Sequence, residues 1–558
     1  MPNYQTPGVY IQEMESGSKP LEAVSTSNAG FLGVIPISAF SEVRWNNSKG
    51  ESQIKRLSGA LAPDAKAKVE DVGSLIASLG LSGGDVSDLN SWGKLFGGKA
   101  KVTVKGDSAT IEMGKAKVET SSANVDSKGA VLTRDRAAIA SLIDELSTAG
   151  AIDKYAPTSV PDVVAAFGGS DCKVAGGLTR FAVGPTKVTN PTQFNNFMRS
   201  FFETLQIELY GNVSLRSDPE ALEDAYLKFL NVPEVFNFVM SVSGFFKNGG
   251  GIAYPYLLCA ESSDVPLINP AQPREGLGAF DDLENDLQIL AGPGLSHNQQ
   301  KEVLEYCEQR FDCFAIIDGP KDRMQGEEIE KEGLLPSSDK GFGAMYVPWL
   351  KVANPFNDKD KTFATEVTVP PSGFMAGIYA RVDGTRGVHK APANETVAGI
   401  QGLAYNINAR EQAAYNVRGI NCIRDFGGRG VRVWGARTLS TLSNPSWKYI
   451  NVRRLFIMIE KTIQLGSQWA VFEPNDHRLW ARLKRNIWAF LSRVWSSGAL
   501  VGKTSDEAFY VKCDEETNPT EEVDAGYVNV EIGICPVKPA EFVVFKIGQW
   551  DGGARVSE

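Results

Sequence analysis

Residues 287–320 read LQILAGPGLSHNQQKEVLEYCEQRFDCFAIIDGP, and this stretch decides the fold class. Leu287–Ala291 is an apolar run of strand length, Ser296–Phe311 carries a helical pattern, and Cys313–Asp318 is a second apolar run. A strand, a helix and a strand in this order predict a βαβ unit and an at least partly parallel sheet. The alternation extends outward. Strands are predicted at Tyr254–Cys259 and Ala344–Leu350, and helices at Pro191–Phe202 and Pro219–Leu230. Far upstream, Gly30-Phe31-Leu32-Gly33-Val34-Ile35 reads as one more buried strand.

The rest of the 558 residues divide around this core. Residues 1–24 read as an arm with a short strand-like piece, Val9-Tyr10-Ile11. Residues 25–36 and 181–360 form a first α/β domain. Between them, 37–180 is rich in Gly, Ser, Ala and Lys and reads as an inserted domain. Within it, KVTVKGDSATIEMGKAKVET (101–120) alternates like a hairpin or meander, and RDRAAIASLIDELSTAG (134–150) like a helix. Residues 361–540 form a second α/β block with long helices at about 451–472 and 477–497. In the latter, Leu479, Leu483, Ile487, Phe490, Leu491 and Val494 share one face, and the arginines fall mostly elsewhere. Residues 541–558 form a C-terminal arm, with EFVVFKIGQW (541–550) as an apolar strand. The fold class is therefore α/β (α+β overall): two α/β blocks with mixed sheets, one insert and two extended arms.

The net charge of −10 argues against a general nucleic-acid or anionic-membrane binder. It is unevenly spread. Residues 401–500 hold 15 basic and 5 acidic residues, and 501–558 hold 5 and 12. A basic stretch beside an acidic one suits head-to-tail contact between identical subunits, docking on an acidic partner, or arginines paired inside the subunit. Six of the ten tryptophans fall between Trp434 and Trp495, to be shared between core and interfaces. Seven cysteines without a CxxC pair predict neither a disulfide framework nor a zinc ribbon. The N-terminus lacks the pattern of a secretory signal, and no apolar run approaches ~18 residues. Synthesis in the cytoplasm without membrane insertion is expected.

Catalytic signatures are poor. GALVGKTS (498–505) approximates a phosphate-binding P-loop, but Ser497 stands where its first glycine belongs and a helix precedes it. A nucleotide-binding enzyme built on this stretch is the alternative reading. RGVHKAPANE (386–395) groups His, Lys, Asn and Glu, and is better read as a polar turn satisfying its own backbone. GGRG (427–430) lacks dinucleotide-loop spacing, and Cys307 with Cys313 lacks a metal-ligand pattern. No catalytic, cofactor or metal residue is predicted. Strand-like pieces near both ends are read either as pairing within their own subunit or, more sharply, as strand donation to neighbouring subunits. An arm of twenty residues reaches at most ~70 Å.

Several long stretches carry a resemblance. TPGVYIQEMESGSKPLEAVSTSNAGFLG (6–33), GPTKVTNPTQFNNFM (184–198), GFFKNGGG (244–251) and residues 287–320 resemble contractile tail sheath proteins. So do VPPSGFMAGIYARVDGTRGVHKAPANE (369–395), INCIRDFGGRGVRVWGARTLS (420–440) and YINVRRLFIMIEKTI (449–463), then QWAVFEPND (468–476) and IGICPVKPAEFVVFKIGQ (532–549). The similarity covers about 1–36 and 181–558, while 37–180 matches nothing in the pattern and sits where the family carries variable, outward-facing insertions. The resemblance implies a sheath subunit of contractile phage tails, tailocins and phage-like injection systems. It implies helical self-assembly around an inner tube, contraction without nucleotide, and baseplate, terminal cap and, where a particle has several, paralogous sheath partners. It implies strand-donating arms, here Val9, Tyr10, Ile11 and Phe542, Val543, Val544, Phe545, Ile547. It attributes tube contact to a helix of the C-terminal domain, for which Arg478, Arg482, Lys484 and Arg485 are the candidates.

Overall fold

The computed structural model describes residues 21–36, 180–210, 219–260, 262–357, 363–440 and 444–545, with seven strands between 42 and 132. At its centre stands β1 (Ala29–Pro36), buried from Ala29 through Ile35. A strand covered on both faces has no polar face to show, which is why AGFLGVIP lacks alternation. A Cβ on Gly33 would come within 2.7 Å of both Leu257 and Phe238, so glycine there is a packing requirement.

The chain then enters the 37–180 segment. A hairpin β2–β3 (Glu42–Asn46, Ser52–Arg56) is followed by an antiparallel meander, β4–β5–β6 (Ala100–Lys105, Ser108–Met113, Ala116–Thr120). The meander is the one read from the alternation at 101–120. A short pair β7–β8 (Asn124–Val125, Val131–Leu132) follows, and the helix expected at 134–150 lies outside the described residues.

From β9 (Arg180–Val183) the chain passes through α1 (Pro191–Tyr210), α2 (Pro219–Leu230) and α3 (Pro233–Lys247) into β10 (Ala253–Ala260). Next come β11 (Ile289–Ala291), α4 (His297–Arg310), β12 (Phe314–Asp318), α5 (Gly326–Lys331) and β13 (Gly343–Val347). The βαβ unit read at 287–320 is thus present. Ser296 caps α4 in a reciprocal capping box with Gln299. The strand expected to run to Leu350 stops at Val347, because Pro348 has no N–H to offer the ladder. Leu350 instead opens β14 (Leu350–Ala353), which joins a separate antiparallel sheet with β15 (Glu366–Val369) and, beyond α6 (Ser372–Arg386), β16 (Gly402–Leu403).

After α7 (Ala409–Val417), β17 (Ile420–Asp425) and β18 (Val431–Trp434) rejoin the large sheet. Its order is β18-β17-β13-β12-β11-β1-β10-β9, parallel throughout except for the two edge strands. This sheet therefore crosses residue 360, where two blocks were expected to part. Helices α3 and α6 meet through glycines: a Cβ on Gly377 would lie 2.4 Å from the Phe245 carbonyl oxygen.

The remaining chain makes a smaller layer of α8 (Ile450–Gly466), α9 (His477–Ser496), β19 (Phe509–Lys512) and β20 (Glu531–Ile534). The helix expected over 451–472 ends at Gly466, where Leu21 packs so closely that no Cβ fits, and a short 3₁₀ turn follows. The apolar face read on α9 is buried, from Leu479 to Val494.

Candidate functional site

The strand expected at 541–550 is absent from the described part, Glu541–Phe545, and Ile547 lies outside the described residues, as do Val9, Tyr10 and Ile11. A lone strand has no ladder partner to hold it extended. What the chain does here is more specific. Glu541 is clamped by Arg437, with Nε to Oε1 at 2.8 Å and Nη2 to Oε2 at 2.9 Å. Asn416 Nδ2 donates at 2.9 Å, the Tyr449 hydroxyl at 3.1 Å, and Lys448 Nζ lies 3.4 Å away. Burial raises the carboxyl's pKa, but the Arg437 and Asn416 hydrogen bonds and the charges of Arg437 and Lys448 outweigh it and hold Glu541 at about 2. Immediately beyond the clamp, Phe542, Val543, Val544 and Phe545 are between 70% and 81% exposed. Four consecutive large apolar residues thus stand exposed on a fixed root.

The other end is rooted in the same layer. Arg454 donates to the Thr26 carbonyl at 2.7 Å, Val24 N–H donates to Thr462 at 3.2 Å, and Arg493 donates to the Leu21 carbonyl. Arg454 is itself locked to Asp383 at 2.6 Å, both side chains being 4% exposed. Helix α8 thus holds the segment leaving the N-terminal region, while Lys448 and Tyr449 at its start hold the C-terminal root.

Strands β19 and β20 pair only with each other over their length, among the described residues. Such a two-stranded sheet has two open edges, which is the form that accepts added strands.

Along α9, Arg478, Lys484 and Arg485 are exposed, and no hydrogen bond or ion pair engages these three side chains among the described residues. Arg482 differs. Its guanidinium lies 4.3 Å over the Trp469 ring and 4.0 Å from Glu473, so part of its charge is already engaged. Trp488 is partly exposed with its ring 6.0 Å from that of Phe509 on β19, whereas Trp480 is buried with its indole N–H on Asn475. Much of the basic 401–500 stretch is spent inside the subunit: Arg418 on Glu330, Arg437 on Glu541, Arg453 on Glu460, Arg454 on Asp383 and Lys461 on Asp312.

The stretches weighed for chemistry have structural work. In 498–505, the Val501 N–H binds the Cys535 carbonyl and the Lys503 N–H binds Glu507, so donors a phosphate would need are engaged. In 386–395, Lys390 Nζ ties the carbonyls of Ala391 and Ala393 and the carboxylate of Glu395. His389 is pushed down in pKa by burial and by Arg386. The Cys307 and Cys313 sulfurs lie 3.3 Å apart, fully buried. At the carboxyl ends of the parallel strands, where open α/β sheets take ligands, Asp318 accepts from Ser372 N at 2.7 Å, Ser372 Oγ at 2.9 Å and Gly294 N at 3.3 Å. Burial pushes its carboxyl up to about 7 despite these bonds.

The Glu541 clamp was not read from sequence, because Asn416, Arg437 and Glu541 are far apart in the chain. Comparison with known proteins places these surfaces in context. The central domain of phage tail sheath proteins matches residues 277–439, and their C-terminal domain matches 442–549. The tail sheath protein of Vibrio phage KVP40 is 29% identical over 251 residues, 42% of this chain and 36% of that protein. The tail sheath protein of Burkholderia phage BcepMu is 25% identical over 300 residues, 50% of this chain and 60% of that protein. The chain thus spans less than two thirds of either relative's length. Among solved structures, a chain of the PVC sheath complex, an extracellular contractile injection system in its contracted state, is 31% identical. The match covers 58% of this chain and 85% of that one, with a TM-score of 0.47.

Proposed function

The chain belongs to the phage tail sheath family, and on that premise we propose that it is the structural subunit of a contractile sheath. Copies polymerise helically around an inner tube, and contraction drives the tube through a target cell envelope. The observation that carries this reading is the pair of consecutive sheath domains over 277–549. The partners are further copies of the chain, the tube, and baseplate and cap proteins. The 37–180 segment faces outward. No cofactor and no catalytic step enters, because the work is stored at assembly and released as subunits move between packings.

The arms Val9–Ile11 and Phe542–Ile547 add strands to neighbours, with β19–β20 as the acceptor. The clamped root and the exposed Phe542–Phe545 support this. Such a link lets subunits shift while staying connected. The tube is gripped through α9. Its exposed Arg478, Lys484 and Arg485 support this reading, and the stacked Arg482 plays the smaller part.

The test is electron microscopy of the purified protein. Hollow, cog-like polymers are expected from the full chain, and disordered or single-ring products from a chain lacking residues 1–20 or 542–558. Normal polymers from both truncated chains would sink strand exchange. Failure of the full chain to polymerise would sink the sheath reading.

A further inference from the structure

Phe472 is fully exposed, and its backbone sits at φ 65°, a left-handed conformation rare for a bulky residue. Exposed Val471 precedes it and Glu473 follows. The turn is fixed by Val471 N–H on the Gln468 carbonyl at 3.2 Å and Glu473 N–H on the Ala470 carbonyl at 3.3 Å. A ring in solvent contributes nothing to its own subunit's core, and the left-handed backbone costs free energy. Outliers of this kind gather at functional sites.

At the far end of the α8–α9 hairpin lies an open groove of about 830 Å³. Its floor is formed by Leu455, Met458, Phe490 and Val494; Arg386 and Arg493 stand at its exposed rim together with the acidic Glu22, and Arg493 already donates to the Leu21 carbonyl. Helix α9 has 20 residues and so separates the tip from Ser497, at the groove's edge, by about 30 Å.

We infer that the Val471–Phe472–Glu473 tip of one subunit seats in this groove of a second copy. The chemistry matches: an apolar floor for the ring, and at the rim the exposed Arg386, which makes no ion pair among the described residues, for its face or for the Glu473 carboxylate, whose partner in its own subunit is Arg482 at 4.0 Å. A tip and a socket at opposite ends of one helix make a heterologous contact, which propagates through successive copies instead of closing as a two-fold dimer. The inference rests on the sheath reading, which supplies the polymer.

Crosslinking tests it. With Cys535→Ser removing an exposed thiol and Cys172→Ser the one cysteine outside the described residues, Phe472→Cys and Ser497→Cys are combined and treated with a bis-maleimide much shorter than α9. A ladder of covalent dimers and trimers is expected from assembled polymers of the double variant. Neither single variant gives it, and nor does the dilute, unassembled double variant. As a second measurement, Phe472→Gly relieves the left-handed backbone, so the unassembled subunit keeps or raises its Tm. Its polymers need about tenfold more protein to form, the loss expected for one aromatic anchor. Intact polymers without a ladder overturn the contact, and loss of tube retention in that case assigns the tip to the tube. A lowered Tm for Phe472→Gly also overturns it, by showing that the ring packs within its own subunit. If the parent forms no polymer, the sheath reading falls together with the contact.

Discussion

Arg437 and Glu541, 104 residues apart, meet in a two-pronged ion pair that fixes where the C-terminal segment leaves the subunit. A bidentate guanidinium–carboxylate pair sets orientation as well as distance, so the apolar residues beyond it depart in one direction. The carboxyl sits at about 2 against roughly 4.3 in an unfolded chain. A depressed carboxylate stabilises the fold above its unfolded value, and that contribution is lost as pH falls toward the folded one. Glu541→Gln is therefore expected to lower Tm at pH 7 and to lose this difference by about pH 2, read by circular dichroism across a pH series. Equal Tm values for parent and variant at neutral pH would show that the clamp adds nothing.

Two glycines of α6 separate packing from propensity. A Cβ on Gly377 would lie 2.4 Å from the Phe245 carbonyl oxygen and 2.8 Å from the Asn248 side chain, whereas one on Gly384 meets nothing within 4 Å. Gly377→Ala should cost about 1–3 kcal/mol through overpacking against α3. Gly384→Ala should add roughly 0.5–1 kcal/mol, because alanine is the better helix former. Urea unfolding of the two variants distinguishes the cases, and the same sign for both would contradict the α3–α6 contact.

These particulars show what a sequence exposes. The β11–α4–β12 unit was legible because its apolar runs are short and Ser296 and Gln299 mark the helix start. The buried face of α9 was legible from spacing, since its other side is charged. Helices α3 and α6 went unassigned. Each is buried along most of its length, with Phe, Gly and Met on several sides, so neither shows a polar face. Their contact depends on Gly244, Gly373 and Gly377, whose role appears only with the partner backbone in place. The division expected at residue 360 missed β17 and β18, because sheet membership at Ile420 is set by Met345 across the ladder and not by neighbours in sequence. The site was half legible. The apolar character of 542–545 and the basic character of α9 were plain, but the Glu541 clamp and the stacking of Arg482 on Trp469 are tertiary facts.

The stacking of Arg482 sharpens the expectation for the tube. Exposed ion pairs are worth about 0.2–1 kcal/mol each, too little for one subunit to hold a tube but additive over many copies. Lys484 and Arg485 stand free on the outward side of α9, so Lys484→Glu with Arg485→Glu should leave subunit stability within about 0.5 kcal/mol. Polymers should still form, because among the described residues neither side chain is hydrogen-bonded or ion-paired to β19, β20 or the Glu541 clamp. Tubes, however, should be lost from them at physiological salt, as counted in micrographs or by co-sedimentation. The parent should release tubes as salt rises and the Debye length falls below ~8 Å. Arg482→Ala should instead cost about 0.5–1 kcal/mol of stability by losing the Trp469 stack, with a weaker effect on retention. Tubes retained at parental levels by the double charge reversal would remove this face of α9 from the contact. A subunit that grips through many weak, exposed charges can hold the extended state and still let go when neighbouring contacts shift together, which a deep apolar seal on the tube would oppose.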